Sequence, residues 1–342
     1  MTKQEEAVWR AFYQAAVTFR DLKCWEWMYD TDIFGVENPK TGEIGYCCVM
    51  GNAGEVFALG VYTGDEGFKS YLRLLYMPEE IEDEDRVAIG LEQNMLKVEF
   101  VDRQELSKPD LDQVKALGLK FRGRNQWVMP REYLPGYFPW FLTTEQAEWM
   151  THALQQAMDV AIRFEDAPSL IRREDGKLLV RAQVEQKGKK VWVDEYREEP
   201  FEEESPDIFP VHQADPELAK ALKKKLKKKK NDLLFMHQYF PSPVGNQGKR
   251  PFFSKISLWA SPEGVIIGHN LSFDNEPWEK FEQDFYQQLE TVKFIPKRIG
   301  VPTVMAYYHI MPIAKILGIE LLLMPEYPIF EEFRESFFMH FF

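Results

Sequence analysis

The stretch from residue 194 to residue 230 sets the strongest limit on how this chain can fold. Residues 194–207, "DEYREEPFEEESPD", hold eight acids against one arginine, and residues 223–230, "KKKLKKKK", hold seven lysines. Ionised side chains at this density cannot leave water without partners, so neither block can supply the apolar face of a core element. The apolar patterning on either side must close around two separate cores. At 342 residues the chain has material for about two domains on a prior of roughly 150 residues each. The expected organisation is an α+β domain over residues 1–195, a charged linker with a lysine-rich helix over 196–230, and a second domain over 231–342.

The linker reads as a helix at "DPELAKAL", with Asp215 at the N-cap, Pro216 in the first turn and Glu217 at the positive helix end. Leu218, Leu222 and Leu226 recur at intervals of four. Three readings fit Lys223, Lys224, Lys225, Lys227, Lys228, Lys229 and Lys230. They are a nucleic-acid or anion contact that releases counterions from phosphates. They are an intramolecular partner for the acids of 194–207, whose charge of −7 cancels the +7 of the lysines. Or they are a solvated helix end, where each lysine contributes about 0.3–1 kcal/mol at best. The net charge of −13 disfavours generic binding to DNA or an anionic membrane by the whole surface.

In the first half, Val8, Phe12, Ala15, Phe19 and Leu22 predict a helix over 4–22. Two apolar runs around "GNAG" predict a hairpin, continued through Thr63 and Gly64 into a helix with Asp65 at its N-cap. "PEEIEDED" reads as an acidic loop, "MLKVEFVD" as a strand, and "SKPDLDQVKALG" as a helix from Ser107 to Gly118. "MPREYLPGYFPWFL" reads as an irregular packed segment. "TTEQAEWMTHALQQAMDVAIRF" is a helix opened by a capping box at Thr143 and Gln146, and "KLLVRAQVEQKGKKVWVDEY" is a hairpin turning at Gly188.

In the second half, "DLLFMHQYFPSPVG", "RPFFSKISLWASPEG" and "VIIGHNLSF" read as three strands joined by tight turns. "EPWEKFEQDFYQQLETV" follows as a helix, "PTVMAYYH" as a fourth strand, "MPIAKILG" as a short helix, "IELLLMP" as a fifth strand and "IFEEFRESFF" as a last helix. The order β-β-β-α-β-α-β-α, and the look of "KRPFFSKISLWASPEGVIIGHNL", resemble the ribonuclease H-like fold that includes integrase and transposase cores. The resemblance covers roughly 231–342 and implies a mixed-sheet α/β domain. It also implies carboxylates at the ends of the first and fourth strands and on a later helix, holding two divalent metals about 4 Å apart. Aligning Pro243 and Val244 with the family's turn puts Gln238, beside His237, where an aspartate is expected. The expected fourth strand ends in Tyr307, Tyr308 and His309. Only Glu331, Glu332 and Glu335 of the last helix remain as acids, so the groove positions describe a catalytically dead version of the fold. His237 and His309 could suit a softer metal, or could be ordinary strand-end residues. The patterns "CWEWMYDTDIFGVENPKTGEIGYCCVMG" and "EVFALGVYTGDEGF" make the whole chain resemble a bacterial two-domain family with no assigned activity.

Other motifs carry little chemistry. "TGDEGFKSYL" lacks phosphate-loop spacing and would place Asp65 and Glu66 against phosphates. Trp25, Trp27 and Tyr29 are either a recognition surface or a loop packed by its own aromatics. Cys24, Cys47 and Cys48 have neither disulfide nor zinc spacing, and Cys47 and Cys48 should point to opposite faces of a strand. Glu148 and His152 form a single helical pair with no second copy. HExxH and GxSxG are absent from the sequence, and no motif calls for a cofactor or a metal. The N-terminus carries Glu5 and Glu6 without an apolar stretch, and "IMPIAKILGIELLLMP" is too broken to span a bilayer. A cytoplasmic binding or scaffolding module, meeting a protein rather than nucleic acid or membrane, is the leading expectation. The alternatives are a divergent metal-dependent nuclease and a nucleic-acid binder that uses the lysine-rich helix.

Overall fold

A computed structural model describes residues 1–198, 200, 209–228, 231–245, 248–272 and 276–341. Lys229, Lys230 and much of the acidic block, at 199 and 201–207, lie outside the described residues. The chain forms two compact units. The first comprises Met1–Leu75, Gln93–Pro135 and Pro139–Glu204, and the second Tyr76–Glu92, Gly136–Phe138 and Ser205–Phe342. The second unit is therefore discontinuous in sequence.

The first unit opens with α1 (Lys3–Leu22), started by a Thr2–Glu5 capping box. Then come β1 (Phe34–Glu37), β2 (Ile44–Met50), β3 (Ala58–Thr63) and α2 (Gly64–Leu75). Helix α3 (Asp83–Leu91) belongs to the second unit. The first resumes with β4 (Met95–Val101), α4 (Lys108–Ala116), β5 (Trp127–Tyr133), α5 (Thr144–Asp166), β6 (Leu178–Gln186) and β7 (Lys189–Arg197). Seven strands order as β5-β4-β3-β2-β1-β6-β7, antiparallel except where β1 runs parallel to β6. Successive residues of a strand face opposite sides. Cys47 accordingly joins the core of α1 and α5 with Phe12, Phe19 and Met150, and Cys48 joins Tyr46, Tyr62 and Phe68 under α2.

Three segments differ from expectation. Phe34–Glu37, inside the expected aromatic loop, is a strand. "MPREY" also pairs as strand, because β5 lies at the sheet edge, where Pro130 need not donate to a further neighbour. Residues 78–82 of the acidic loop are non-helical as expected, but its last three residues, Asp83, Glu84 and Asp85, form the first turn of α3, where the helix dipole favours negative charge. Helix α2 begins at Gly64, so Asp65 lies inside its first turn and is not its cap.

The second unit continues with α6 (Pro216–Lys225), β8 (Asp232–Tyr239), β9 (Lys255–Ala260), β10 (Ile266–Ser272) and α7 (Trp278–Val292). It ends with β11 (Arg298–Val301), α8 (Val304–Leu317), β12 (Glu320–Leu323) and α9 (Pro328–Phe341). The expected order of element types holds, but "VMAYYH" is helical. The fourth strand is the earlier "RIGV", and His309 sits in the second turn of α8. Met305, Ala306, Ile310, Ile313, Ala314 and Leu317 are its buried residues, at helical spacing, and Thr303 caps it by accepting from the Ala306 N–H. The sheet order is β10-β9-β8-β11-β12, with β10, β9 and β8 antiparallel and β8, β11 and β12 parallel. One face, bearing Leu233, Phe235 and Trp259, packs on α6, α7 and α8 through Leu222, Phe285, Leu289 and Ile310. The opposite face, bearing Leu234, Met236 and Leu258, packs on Phe330 of α9. Among the described residues no helix is long and apolar enough to cross a membrane.

Candidate functional site

Strand register builds a floor on the face of the second sheet that carries α7 and α8. Phe235, Trp259 and Gly268 lie side by side in one row, His237, Ser257 and Asn270 in the next, and Tyr239, Lys255 and Ser272 in the last. The face thus changes from apolar to polar along the strands. Over the polar rows a cavity of about 220 Å³ opens, lined also by His212, Trp278, Phe281, Met305, His309 and Glu92. Glu92 arrives from just beyond α3 and accepts hydrogen bonds from the Tyr239 hydroxyl and, at 3.0 Å, from Lys255 Nζ.

The rings form two stacks. The imidazoles of His237 and His309 lie nearly parallel with centroids 4.2 Å apart. His212 and Trp278 are parallel at 4.6 Å. The second stack meets His309 almost at right angles, with interplanar angles of 84° from His212 and 82° from Trp278. His237 Nδ1 lies 2.9 Å from Ser257 Oγ, while His237 Nε2 is buried with no hydrogen-bond partner among the described residues. A buried polar atom left so costs about 1–3 kcal/mol. Burial pushes the His237 imidazole well below its ordinary value, helped by the charge of Lys255. Burial does the same to His309, with His237, Lys255 and His212 adding to it. His212 is lowered by burial and Lys255 against the opposing pull of Glu92 and Glu279. All three shifts favour the neutral ring.

This geometry is poor for a metal. Imidazole donates to a metal in its own plane, and the lone pairs of two parallel stacked rings do not converge on one point. Among the described residues no group of three or more histidines, cysteines, aspartates or glutamates is arranged to hold an ion. A serine–histidine nucleophile also lacks its third member: Ser257 occupies the Nδ1 position where a carboxylate would orient the ring.

The other sequence-derived positions scatter. Gln238 is buried but alternates with His237, so it faces the α9 side of the sheet, and its Oε1 has no partner among the described residues. Glu331, Glu332 and Glu335 lie on α9, the helix of that opposite face, and are exposed. Tyr308 is half-buried on α8, edge-on to Tyr307. The expected groove therefore divides, and only His237 and His309 meet. Trp25 is a core residue packed with Phe57 and Phe100, and Trp27 donates to the Ala161 carbonyl at 3.0 Å. Tyr29 alone of the three is exposed, with the Arg172 guanidinium 5.5 Å over its ring. Glu148 pairs with Lys40, and not with His152. The three cysteines are buried, and burial pushes the Cys24 thiol up to about 12.

In the lysine run, Lys225 pairs with Glu290 of α7 at 2.7 Å, and Lys228 donates to the Gly318 carbonyl at the C-terminus of α8. Lys223, Lys224 and Lys227 are exposed. The described acids of the opposing block meet other partners: Asp194 pairs with Arg163 and Arg181, Glu195 with Arg197, and Glu198 with Lys177.

Among the cavity residues that the sequence reading did not single out as site residues are His212, Glu92, Lys255, Ser257, Asn270 and Trp278. One signal for them was present. In "SKISLW" every second residue, Lys255 and Ser257, is polar ahead of Trp259, in a strand that must be buried.

Residues 9–181 match the model of a domain of unknown function, DUF7309, and residues 218–338 match that of a second, DUF6930. No curated protein matches the chain. The first match spans just over half of the chain, which therefore belongs to the DUF7309 family, with a DUF6930 domain following in the same polypeptide.

Proposed function

We propose that the chain is a non-catalytic binding module, and that its second unit uses a ribonuclease H-like sheet as a scaffold for a small ligand cavity. The strand order β10-β9-β8-β11-β12, with three antiparallel strands followed by two parallel ones, supports the fold assignment. One observation carries the functional reading. Where phosphodiester chemistry needs facing carboxylates, β8 presents His237, stacked on His309 of α8, and β11 is followed by Pro302 and Thr303. The only acids available from the last helix stand on the other face of the sheet.

The test is a cleavage assay on labelled single- and double-stranded DNA and RNA with Mg²⁺ or Mn²⁺. No metal-dependent cleavage is expected. Cleavage that disappears in a Glu331→Gln, Glu332→Gln, Glu335→Gln triple variant would restore the nuclease reading.

A further inference from the structure

We infer that two copies of the chain associate through the outer edge of β7, antiparallel and centred on Trp192, so that their first-unit sheets join into one. The inference rests on the first unit alone and is independent of the cavity in the second.

Strand β7 is the last of its sheet, and among the described residues no strand pairs with its outer side. The turn before it fixes which groups that side presents. Lys187 and Gly188 both have positive φ, at 53° and 73°, and Gln186 pairs directly with Lys189. A two-residue turn of this kind closes on a hydrogen-bonded pair, and such pairs alternate along an antiparallel ladder. Lys189, Val191, Val193, Glu195 and Arg197 therefore bond to β6. Lys190, Trp192, Asp194 and Tyr196 direct their N–H and C=O groups outward. An edge of nine residues is a template for a further strand. Short length, proline and bulges are the usual defences of such an edge. Strand β7 is long, holds no proline, and keeps an unbroken register with β6. Its defence is lysine, and that is where the choice of partner enters.

Charge selects the occupant. Lys189 and Lys190 stand at the start of β7, and Asp194 and Glu195 near its end. Such a strand complements itself only when reversed. With Trp192 opposite its copy, Lys189 faces Glu195, Lys190 faces Asp194 and the half-buried Val191 faces Val193, each twice about a two-fold axis. Trp192 with its copy, and Lys190 with Asp194, then form the hydrogen-bonded pairs, as their outward groups require. Lys189 and Glu195 form a non-hydrogen-bonded pair, in which side chains lie closer. Other registers fail. Centred on Val193, the pairing sets Lys189 against Arg197 and Trp192 against Asp194. Centred on Lys190 or on Asp194, it puts like charges together at the axis. Centred on Val191, it sets the lysines against valine and tryptophan. The added cation also has a vacancy to fill: Lys189 is exposed, while Glu195 and Glu37 share the one guanidinium of Arg197. Asp194 already meets Arg163 and Arg181, so the Lys189–Glu195 contact decides the register.

The experiment is sedimentation velocity on the full chain, from low micromolar to several hundred micromolar. A contact of one strand from each copy is small, so a reversible, concentration-dependent dimer is expected. Lys189→Glu and Glu195→Lys each set like charges opposite one another, and each should weaken the dimer about tenfold. An equimolar mixture of the two variants should regain the parent affinity, because each copy then meets opposite charges on the other. Lys190→Pro removes an outward N–H and none of the bonds to β6, so it should weaken the dimer as well. It serves, with Lys189→Glu, if circular dichroism shows that Glu195→Lys does not fold. A chain that stays monomeric throughout would overturn the inference. A dimer indifferent to Lys189→Glu and Lys190→Pro would overturn it too, since the copies would then meet through another surface. A mixture no tighter than its two components would refute the register, and the inference with it.

Discussion

Two side-chain arrangements decide much of what this molecule tolerates. Arg131 and Asp110 form a buried, two-pronged ion pair with bonds of 2.9 and 2.6 Å. Burial raises the Asp110 carboxyl, but the bonds from Arg131 and Ser107 outweigh it and hold the group below its ordinary value. Asp110→Ala would leave a guanidinium uncompensated, and should cost about 3–5 kcal/mol in chemical denaturation. A cost under 1 kcal/mol would mean that Arg131 finds water instead. The histidines act in the opposite sense with pH. His237 and His309 have lowered values when folded, so below about 6.5 the unfolded chain takes up protons that the folded one refuses. Stability is full above that pH and falls as the pH drops through it. The melting temperature should therefore fall between pH 7.5 and pH 5, and His309→Phe, which keeps a neutral ring, should flatten that fall. An unaltered slope in the variant would assign the pH dependence to other groups. Neither arrangement was readable in the sequence, because both depend on register: His237 meets Ser257 only through the pairing of β8 with β9.

At the level of elements, the chain states its helices through caps and spacing, and misleads where composition and spacing disagree. The Thr143–Gln146 and Ser107–Asp110 boxes mark α5 and α4 unambiguously. "VMAYYH" carries valine and two tyrosines, which favour strands. Yet Met305, Ala306, Ile310, Ile313 and Leu317 continue one helical stripe across it, and burial of that stripe wins. Helix α3 was hidden for a related reason. Its acids look like a solvated loop until one of them is seen capping another helix. Asp85 is fully buried and accepts from the Val304 and Met305 N–H groups, at 2.6 and 2.8 Å, at the start of α8. Asp85→Ala should destabilise the second unit by about 0.5–2 kcal/mol. Asp85→Asn, which keeps one acceptor oxygen, should cost less. Equal losses from both would show that the negative charge, rather than the hydrogen bonds, holds α8. The lysine-rich helix is a further element-scale case. Lys225 and Lys228 are engaged within the unit, which among the described lysines of the run leaves Lys223, Lys224 and Lys227 exposed to carry a phosphate contact. Random DNA should not be retained at moderate salt. Retention that vanishes on changing those three to glutamate would favour the nucleic-acid reading instead.

Across the whole molecule, the discontinuity of the second unit matters more than the charged stretch that announces it. A cut at the acidic block, between the two family matches, would give a fragment of residues 205–342 that contains the entire DUF6930 match. That fragment would lack Asp85 at the head of α8, Glu92 between Tyr239 and Lys255, and the segment Gly136–Phe138. In that segment the Gly136 carbonyl accepts from the Phe253 N–H, and the Phe138 N–H donates to the Pro251 carbonyl. Tyr239 and Lys255 would then face the cavity floor without the carboxylate that joins them. Burial already raises Tyr239 far above its ordinary value, so the phenol would lose its acceptor and keep its desolvation. Each such loss is of the order of 1–3 kcal/mol, against a total stability of roughly 5–15 kcal/mol for a domain. Three together would bring the unit close to its limit. The fragment should therefore melt at lower temperature and with less cooperativity than the second unit does within the full chain, followed by circular dichroism and amide hydrogen exchange of β8 and β9. A fragment as stable and as protected as the intact unit would mean that residues 76–92 and 136–138 only rest on it, and the boundary would return to the charged stretch.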